Sequence, residues 1–363
     1  MVAGGGLVGL TAGIALRQVG FDTLVCEQNP EIDAIGASIG LWDNALTVFD
    51  KLGVGAAIRA AGWPSVIQHR NPAGQFIDEH SSKLASIEAT MIRRWKLTEL
   101  LAEELGPDHL RTSAQVTGYQ ERDHGVVVEF ADGTTEHADL LVGADGVYSR
   151  VRERLSPGEV AQEYLNHRVW RGLVPASAVP EITSEFMVVG RERTRSTVVL
   201  SGEGTVFWVL AQFNSPPLRG SSKEEALARV PHLHDGGWPF YLREAIEATP
   251  EDRVVRNRIM SVPRQSRWVS SHVALAGDAA HALSPHIGSG ASLGVEDAAV
   301  LADFLSNNDI PTALRAYEAD RVQRYIEIYR WTDRIAEAAG EPETYVKEFC
   351  SYHRWMTAGR STG

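Results

Sequence analysis

At 363 residues, 44% hydrophobic and 23% charged, the chain is long enough for two domains with sizeable cores. Its formal net charge of -12 opposes nucleic-acid binding, so any anionic small molecule has to be met by local arginines. Cys26 and Cys350 are the only cysteines, too few for a disulfide framework or a thiolate metal site, and a reducing cytoplasm is the expected setting. The apolar start, Met1 to Leu16, has no basic head, is broken by five glycines and runs into Arg17 without a cleavage site. It reads as core, and no later run approaches the roughly 20 apolar residues of a membrane span. No internal repeat or metal-ligand spacing stands out.

In chain order, Val2-Ala3 leads into a glycine turn, Leu7 to Val19 has helical spacing, and Thr23 to Cys26 is a short strand ending at Glu27. In such a β-α-β unit Gly4 permits the tight turn, Gly6 lets the backbone approach a pyrophosphate, and Gly9 lets helix and strand pack closely. Glu27 stands where a carboxylate accepts hydrogen bonds from ribose hydroxyls. Only three residues precede Gly4, so the first strand is either minimal or begins upstream. Val126 to Phe130 reads as a strand, Asp132-Gly133 as a hairpin turn, and Ala138 to Val142 as a buried strand ending in Gly143-Ala144-Asp145-Gly146. Asp145 is then either a helix cap for Ser149 to Leu155 or a ligand-facing group at a strand's C-terminal end.

Between Val169 and Phe213 the apolar runs alternate and are bounded by glycine, proline and serine, which predicts an antiparallel sheet joined by Val66 to His69 and Gln75 to Ile77. His272 to Ala276 is another buried strand, followed by Gly277-Asp278 and by a helix from about Gly290 to Leu305. A carboxylate at Asp278 can accept hydrogen bonds from ligand hydroxyls, with a simple cap as the alternative. Backbone N–H groups at Gly288, Gly290 and Ala291 would favour negative charge on a ligand. Ala313 to Ala336 is a long helix with Arg321 and Arg324 expected on a solvated face, and Tyr345 to Trp355 one more amphipathic helix.

These three motifs in this order resemble the group A FAD-dependent aromatic monooxygenases, and Pro285-His286-Ile287-Gly288-Ser289-Gly290 is similar to the salicylate hydroxylase-like branch. The resemblance implies an α/β (α+β) fold with a Rossmann-like, GR2-type FAD-binding domain, an antiparallel-sheet substrate domain and C-terminal helices. The expected segments are 1–65, 91–158 and 266–335 for the FAD domain, 66–90 and 159–265 for the substrate domain, and 336–363 for a C-terminal helix and tail. It implies that Arg94, or Arg93 if the register slips, contacts the FAD phosphates, that the Val116 backbone meets the adenine, and that Asp43-Asn44-Ala45 begins a helix beside the isoalloxazine. Asp145 would lie near the pyrophosphate, Asp278 on the flavin's ribityl hydroxyls and the Gly288, Gly290 and Ala291 backbone at the flavin ring, and His281 would pack behind the flavin.

The chemistry so implied is insertion of one oxygen atom from O2 into a small phenolic or aromatic-acid substrate through a flavin C4a-hydroperoxide. FAD would be tight and non-covalent, with NADH or NADPH a transient co-substrate. His286 is the candidate for proton handling, because an ordinary histidine pKa of ~6.5 suits exchange near neutrality. Arg171, beside Trp170 on a strand, is the candidate partner of a carboxylate or phenolate. Tyr164, Trp170, Trp208 and Pro285 are candidate pocket residues, with core packing the alternative for the aromatics. A monomer or homodimer without metal or nucleic acid is expected. Epoxidation or Baeyer-Villiger chemistry, a flavin halogenase, a geranylgeranyl-reductase-type enzyme, and a non-catalytic FAD protein that sequesters an aromatic ligand remain open.

Overall fold

A computed structural model describes residues 1–32, 38–77, 87–179, 186–200, 204–217 and 219–358. Residues 78–86 and 359–363 of the expected domain segments lie outside the described residues. The chain divides into two compact units, the first made of Met1–Trp63, Thr90–Gln162 and Met260–Tyr329, the second of Pro64–Ala89, Glu163–Ile259 and Arg330–Gly363.

Unit one is built on a parallel sheet whose strand order is Val273–Leu275, Leu141–Gly143, Val2–Ala3, Val25–Cys26, Leu110–Arg111. Its strands are short and its three central ones wholly buried, as expected of a parallel sheet covered on both faces. The helix Leu7–Gln18 packs against Gly290–Asn307 through small residues: a Cβ on Gly294 would meet Val8 Cγ2 at 2.5 Å. The hairpin strands Val116–Arg122, Gly125–Phe130 and Thr135–Ala138 form a separate antiparallel sheet, with Gly133 in its turn at φ 85°. The strand expected over Ala138 to Val142 is in fact two, because Ala138 pairs with Val126 whereas Leu141 pairs with Val273.

Unit two carries the strands Gln162–Pro175, Thr205–Gln212, Thr194–Leu200 and Phe186–Val189, paired antiparallel in that order. Trp63–Arg70 then adds to Phe186–Val189 in parallel, so the sheet is not antiparallel throughout. Gln75 to Ile77 does not form a strand; Asn71 Oδ1 accepts from the Ala73 and Gln75 N–H groups, closing a turn there. Side chains alternate across the sheet. Trp170, Val198, Trp208 and Leu210 face one way into a core capped by the helices Ser222–Leu227 and Leu242–Ala248. By register, Val169, Arg171, Arg195, Thr197 and Val209 emerge on the opposite face.

Candidate functional site: a dinucleotide cleft and its surroundings

At the C-terminal ends of the parallel strands a cleft of about 620 Å³ opens, lined among others by Gly4, Gly6, Glu27, Arg94, Val116 and Asp145. That size lies within the roughly 300–1,000 Å³ of small-molecule and cofactor sites. Gly4, at φ 102°, turns under the Asp145 loop, where a Cβ would strike the Ala144 carbonyl oxygen at 2.4 Å. A Cβ on Gly9 would sit 1.9 Å from the Gly4 carbonyl oxygen, so the third glycine serves close packing rather than ligand contact. At Gly6 a Cβ would meet nothing within 4 Å: the turn is open on the side where the helix Leu7–Gln18 presents its N-terminus.

Glu27 Oε2 accepts the Gly5 N–H at 2.7 Å and Oε1 accepts the Asn29 N–H at 2.9 Å, which fixes the carboxylate on the cleft wall. Arg94, exposed at the first position of the helix Arg94–Leu105, lines the cleft, whereas Arg93 is the residue before that helix. Asp145 stands between the cleft wall and the start of a helix. Its Oδ2 caps the helix Arg150–Leu155 by accepting the N–H groups of Arg150 (2.7 Å) and Val151 (3.2 Å), while its buried Oδ1 has no partner. Burial pushes the carboxyl pKa up. A buried acceptor left unused at the cleft wall suits a ligand that brings hydroxyl or amide donors.

The buried Arg152 explains the rest of that motif. Its guanidinium donates to the carbonyls of Glu159 (3.0 Å), Ala279 (2.8 Å) and Val147 (2.6 Å), tying the Asp145 loop to the segment after Asp278. Asp278 is exposed just after the strand Val273–Leu275, and desolvation by the surrounding protein pushes its pKa up.

Behind Asp278 the structure places a buried network. Asp297 Oδ2 accepts from the Gly277 N–H (2.9 Å) and from His281 Nε2 (2.5 Å), and Oδ1 accepts from Arg321 Nε (2.7 Å). His281 is stacked on Tyr325 with ring centroids 3.9 Å apart and does pack inside the protein. Arg321 is completely buried and Arg324 nearly so, against the solvated face expected for them, because Asp297 and Glu296 supply buried counter-charges. Helical periodicity could not reveal that pairing; the adjacent Glu296-Asp297 in an otherwise apolar helix was the available signal.

His286 lies buried on the short 3₁₀ turn Pro285–Ile287, with Pro285 and Gly288 exposed on either side and Gly288 left-handed at φ 65°. Gly290 and Ala291 open the helix Gly290–Asn307. None of Asp278, His286, Gly288, Gly290 and Ala291 lines the cleft just described; they belong to the segment that follows the strand Val273–Leu275.

In unit two, Trp170 and Trp208 are fully buried in the core, their indole N–H groups donating to Glu225 (3.4 Å) and Thr249 (2.9 Å). Their placement is that of packing residues. Tyr164 is half-buried, edge-on to Phe213 at 6.3 Å, and Arg171 is half-buried on the opposite sheet face from Trp170. Sequence reasoning missed Arg195, which shares that face. Its buried guanidinium lies 4.8 Å from the Phe213 ring centroid and 5.6 Å from that of Tyr345, and Nη2 donates to His167 Nε2 at 3.2 Å. Among the described residues its acidic neighbours are Tyr345 and Tyr164 and no carboxylate, and desolvation lowers its pKa.

Comparison with known proteins agrees with this geometry. A family model described as an FAD binding domain matches residues 1–332. The chain is 35% identical over 347 residues to an aurachin C monooxygenase/isomerase of Stigmatella aurantiaca, covering 93% of this chain and 88% of that protein. It is 31% identical over 350 residues to a 3-amino-4-hydroxybenzoate 2-monooxygenase of Streptomyces platensis, covering 91% and 85%. The solved structure of Klebsiella pneumoniae HpxO complexed with FAD and uric acid superposes with a TM-score of 0.78 at 27% identity, covering 98% of this chain and 92% of that one. No helix among the described residues is long and apolar enough to cross a membrane. The chain therefore belongs to the FAD-dependent aromatic monooxygenases, an oxidoreductase family whose FAD binding domain spans most of its length.

Proposed function

We propose that this protein consumes NADH or NADPH and O2 to place one oxygen atom on a small aromatic acid or phenol that binds as an anion. FAD, when bound, supplies the hydride acceptance and oxygen activation. The chain's own residues bind and orient. The Gly4–Gly9 turn and Arg94 hold the pyrophosphate, Glu27 the ribose, Val116 the adenine, and Asp278 the ribityl hydroxyls. Backbone at Gly288, Gly290 and Ala291 meets the flavin ring. Arg195 takes the substrate's negative group, with Arg171 on the same sheet face, and His286 exchanges a proton with the ring hydroxyl.

The observation that carries the substrate class is Arg195: a buried guanidinium facing aromatic rings, with no carboxylate to compensate it among the described residues. An uncompensated buried charge is costly, and an incoming anion offsets that cost. The test is a panel of phenols and aromatic acids scored for stimulated NAD(P)H oxidation, with labelled dioxygen traced into product. Arg195→Gln should weaken acid substrates by about ten- to a hundredfold in kcat/KM, the worth of a hydrogen bond to a charged group. Neutral analogues and FAD affinity should change little. Equal losses for acid and neutral substrates, or no aromatic compound that stimulates oxidation, would sink the reading.

A further inference from the structure

We infer that Arg321 is a positioning residue for FAD, joining the segment that carries Asp278 to the segment that carries Asn44. The inference rests on Asp278 facing the cofactor and is independent of the substrate's identity. The geometry is a continuous chain of buried polar contacts inside unit one. Arg321 Nε donates to Asp297 Oδ1 at 2.7 Å, and Asp297 Oδ2 in turn holds the Gly277 N–H at 2.9 Å and His281 Nε2 at 2.5 Å. On the other side Arg321 Nη2 donates to Glu296 Oε2 at 3.2 Å, and Glu296 Oε1 accepts from Asn44 Nδ2 at 2.7 Å.

Both ends of this chain hold backbone that side-chain packing alone does not fix. Gly277 adopts φ 59°, ψ -141°, where a Cβ would strike Val8 Cγ2 at 2.8 Å, so the turn that aims Asp278 is held by the Asp297 carboxylate and not by a rotamer of its own. The helix Asp43–Lys51 starts without a side-chain cap, and its entry is pinned to the Gly290–Asn307 helix by Trp42 Nε1 on the Gly288 carbonyl (2.6 Å), Trp42 N–H on Ser292 Oγ (3.3 Å) and Asn44 on Glu296. Asp297 and Glu296 are neighbours on one helix but serve different segments, and Arg321 contacts both. Two carboxylates side by side in a buried place repel; the Arg321 guanidinium reaches both and fixes their directions, with Arg324 Nη2 a second, longer contact to Glu296 Oε1 at 3.4 Å. Lysine, a point charge on a flexible stem, cannot span the two oxygens in the same way.

The test is a double-mutant cycle on FAD affinity, read by quenching of flavin fluorescence as apoprotein is titrated. Asp278→Ala and Glu27→Ala are each measured in the parent and in Arg321→Met. If Arg321 acts through the Gly277 turn, Asp278→Ala costs on the order of tenfold less in the Arg321→Met background than in the parent, the size of coupling found between residues of one network. Glu27→Ala, at the opposite end of the dinucleotide, costs the same in both. Arg321→Lys should give an intermediate affinity. A general loosening of the fold would weaken both ends alike and show no such selectivity. Strict additivity of Arg321→Met with Asp278→Ala overturns the inference and leaves Arg321 as a core ion pair. Asp278→Ala without effect in either background overturns the placement of Asp278 and the inference with it. Should Arg321→Met fail to fold, the same cycle with Asn44→Ala cuts the chain at its outer end: coupling to Asp278→Ala supports the inference and additivity overturns it.

Discussion

Asp145 serves two masters, a helix and a cleft, and its charge is the cost of doing so. One oxygen caps the helix Arg150–Leu155 while the other is buried without a partner, and burial raises the carboxyl pKa. A carboxyl that binds its proton more tightly folded than unfolded contributes stability below its unfolded pKa and loses it as pH rises through the folded value. Asp145→Asn keeps an oxygen for the cap and removes the charge, so apoprotein thermal unfolding near neutral pH should move up, with the gain shrinking on acidification. A variant that melts lower at neutral pH would show that the carboxylate's field at the helix N-terminus matters more than its desolvation. With Asp278 and Glu27 accepting from cofactor hydroxyls as proposed, Asp278→Ala and Glu27→Ala should each weaken FAD by roughly ten- to a hundredfold without unfolding the chain, as equilibrium titration would show. His286→Ala should retain FAD and its reduction by NAD(P)H, while product per NAD(P)H falls and hydrogen peroxide rises, because general acid–base assistance is worth about 10²–10⁴-fold. Full coupling with an unchanged pH profile would leave the buried His286 as packing.

At the scale of elements, the strand Trp63–Arg70 and the helix Pro342–Ala358 meet at His69, buried edge-on to Phe349 with centroids 5.5 Å apart and neither ring nitrogen hydrogen-bonded. Burial lowers its pKa to about 4. The unfolded chain therefore binds this proton more readily, and stability present at neutral pH is lost as pH falls from about 6.5 towards 4, on the order of 3 kcal/mol in all. His69→Phe should flatten that part of the unfolding-versus-pH curve; an unchanged slope would assign the acid sensitivity elsewhere. Sequence spacing made the helices Leu7–Gln18 and Gly290–Asn307 legible, since each buries most of itself. It could not separate Ala138 from Leu141, because an apolar run does not say which neighbour each residue pairs with. The glycine turn was legible because its backbone admits few residue types: Gly4 lies at φ 102° with the Ala144 carbonyl packed against it. Arg195 and Arg321 were not: a buried arginine looks in sequence like a solvated one until its neighbours, far along the chain, are known.

For the molecule as a whole, the net charge of -12 sets a negative field through which an anionic substrate must pass to reach a local arginine. Added salt screens that field, the Debye length falling from roughly 30 Å at 0.01 M to about 10 Å at 0.1 M. With the aromatic acid as the varied substrate, kcat/KM should therefore rise with ionic strength over this range before levelling. A profile that falls with salt would mean that local arginines steer the encounter and outweigh the overall charge.

The sheet of unit one has a consequence for how the protein comes into being. Every residue lining the cleft lies between Ala3 and Arg150, yet one of the two edge strands of that sheet is Val273–Leu275, and all of Glu163–Ile259 belongs to unit two. During synthesis the residues that line the cleft emerge first, with the flank of the Leu141–Gly143 strand bare, while residues of the second unit are made. Asp278, Asp297 and Arg321 arrive only after that. The residues of the cleft are thus all present in the chain long before the segment that carries Asp278, Asp297 and Arg321, so the two parts of unit one meet only once Glu163–Ile259 of unit two has been made.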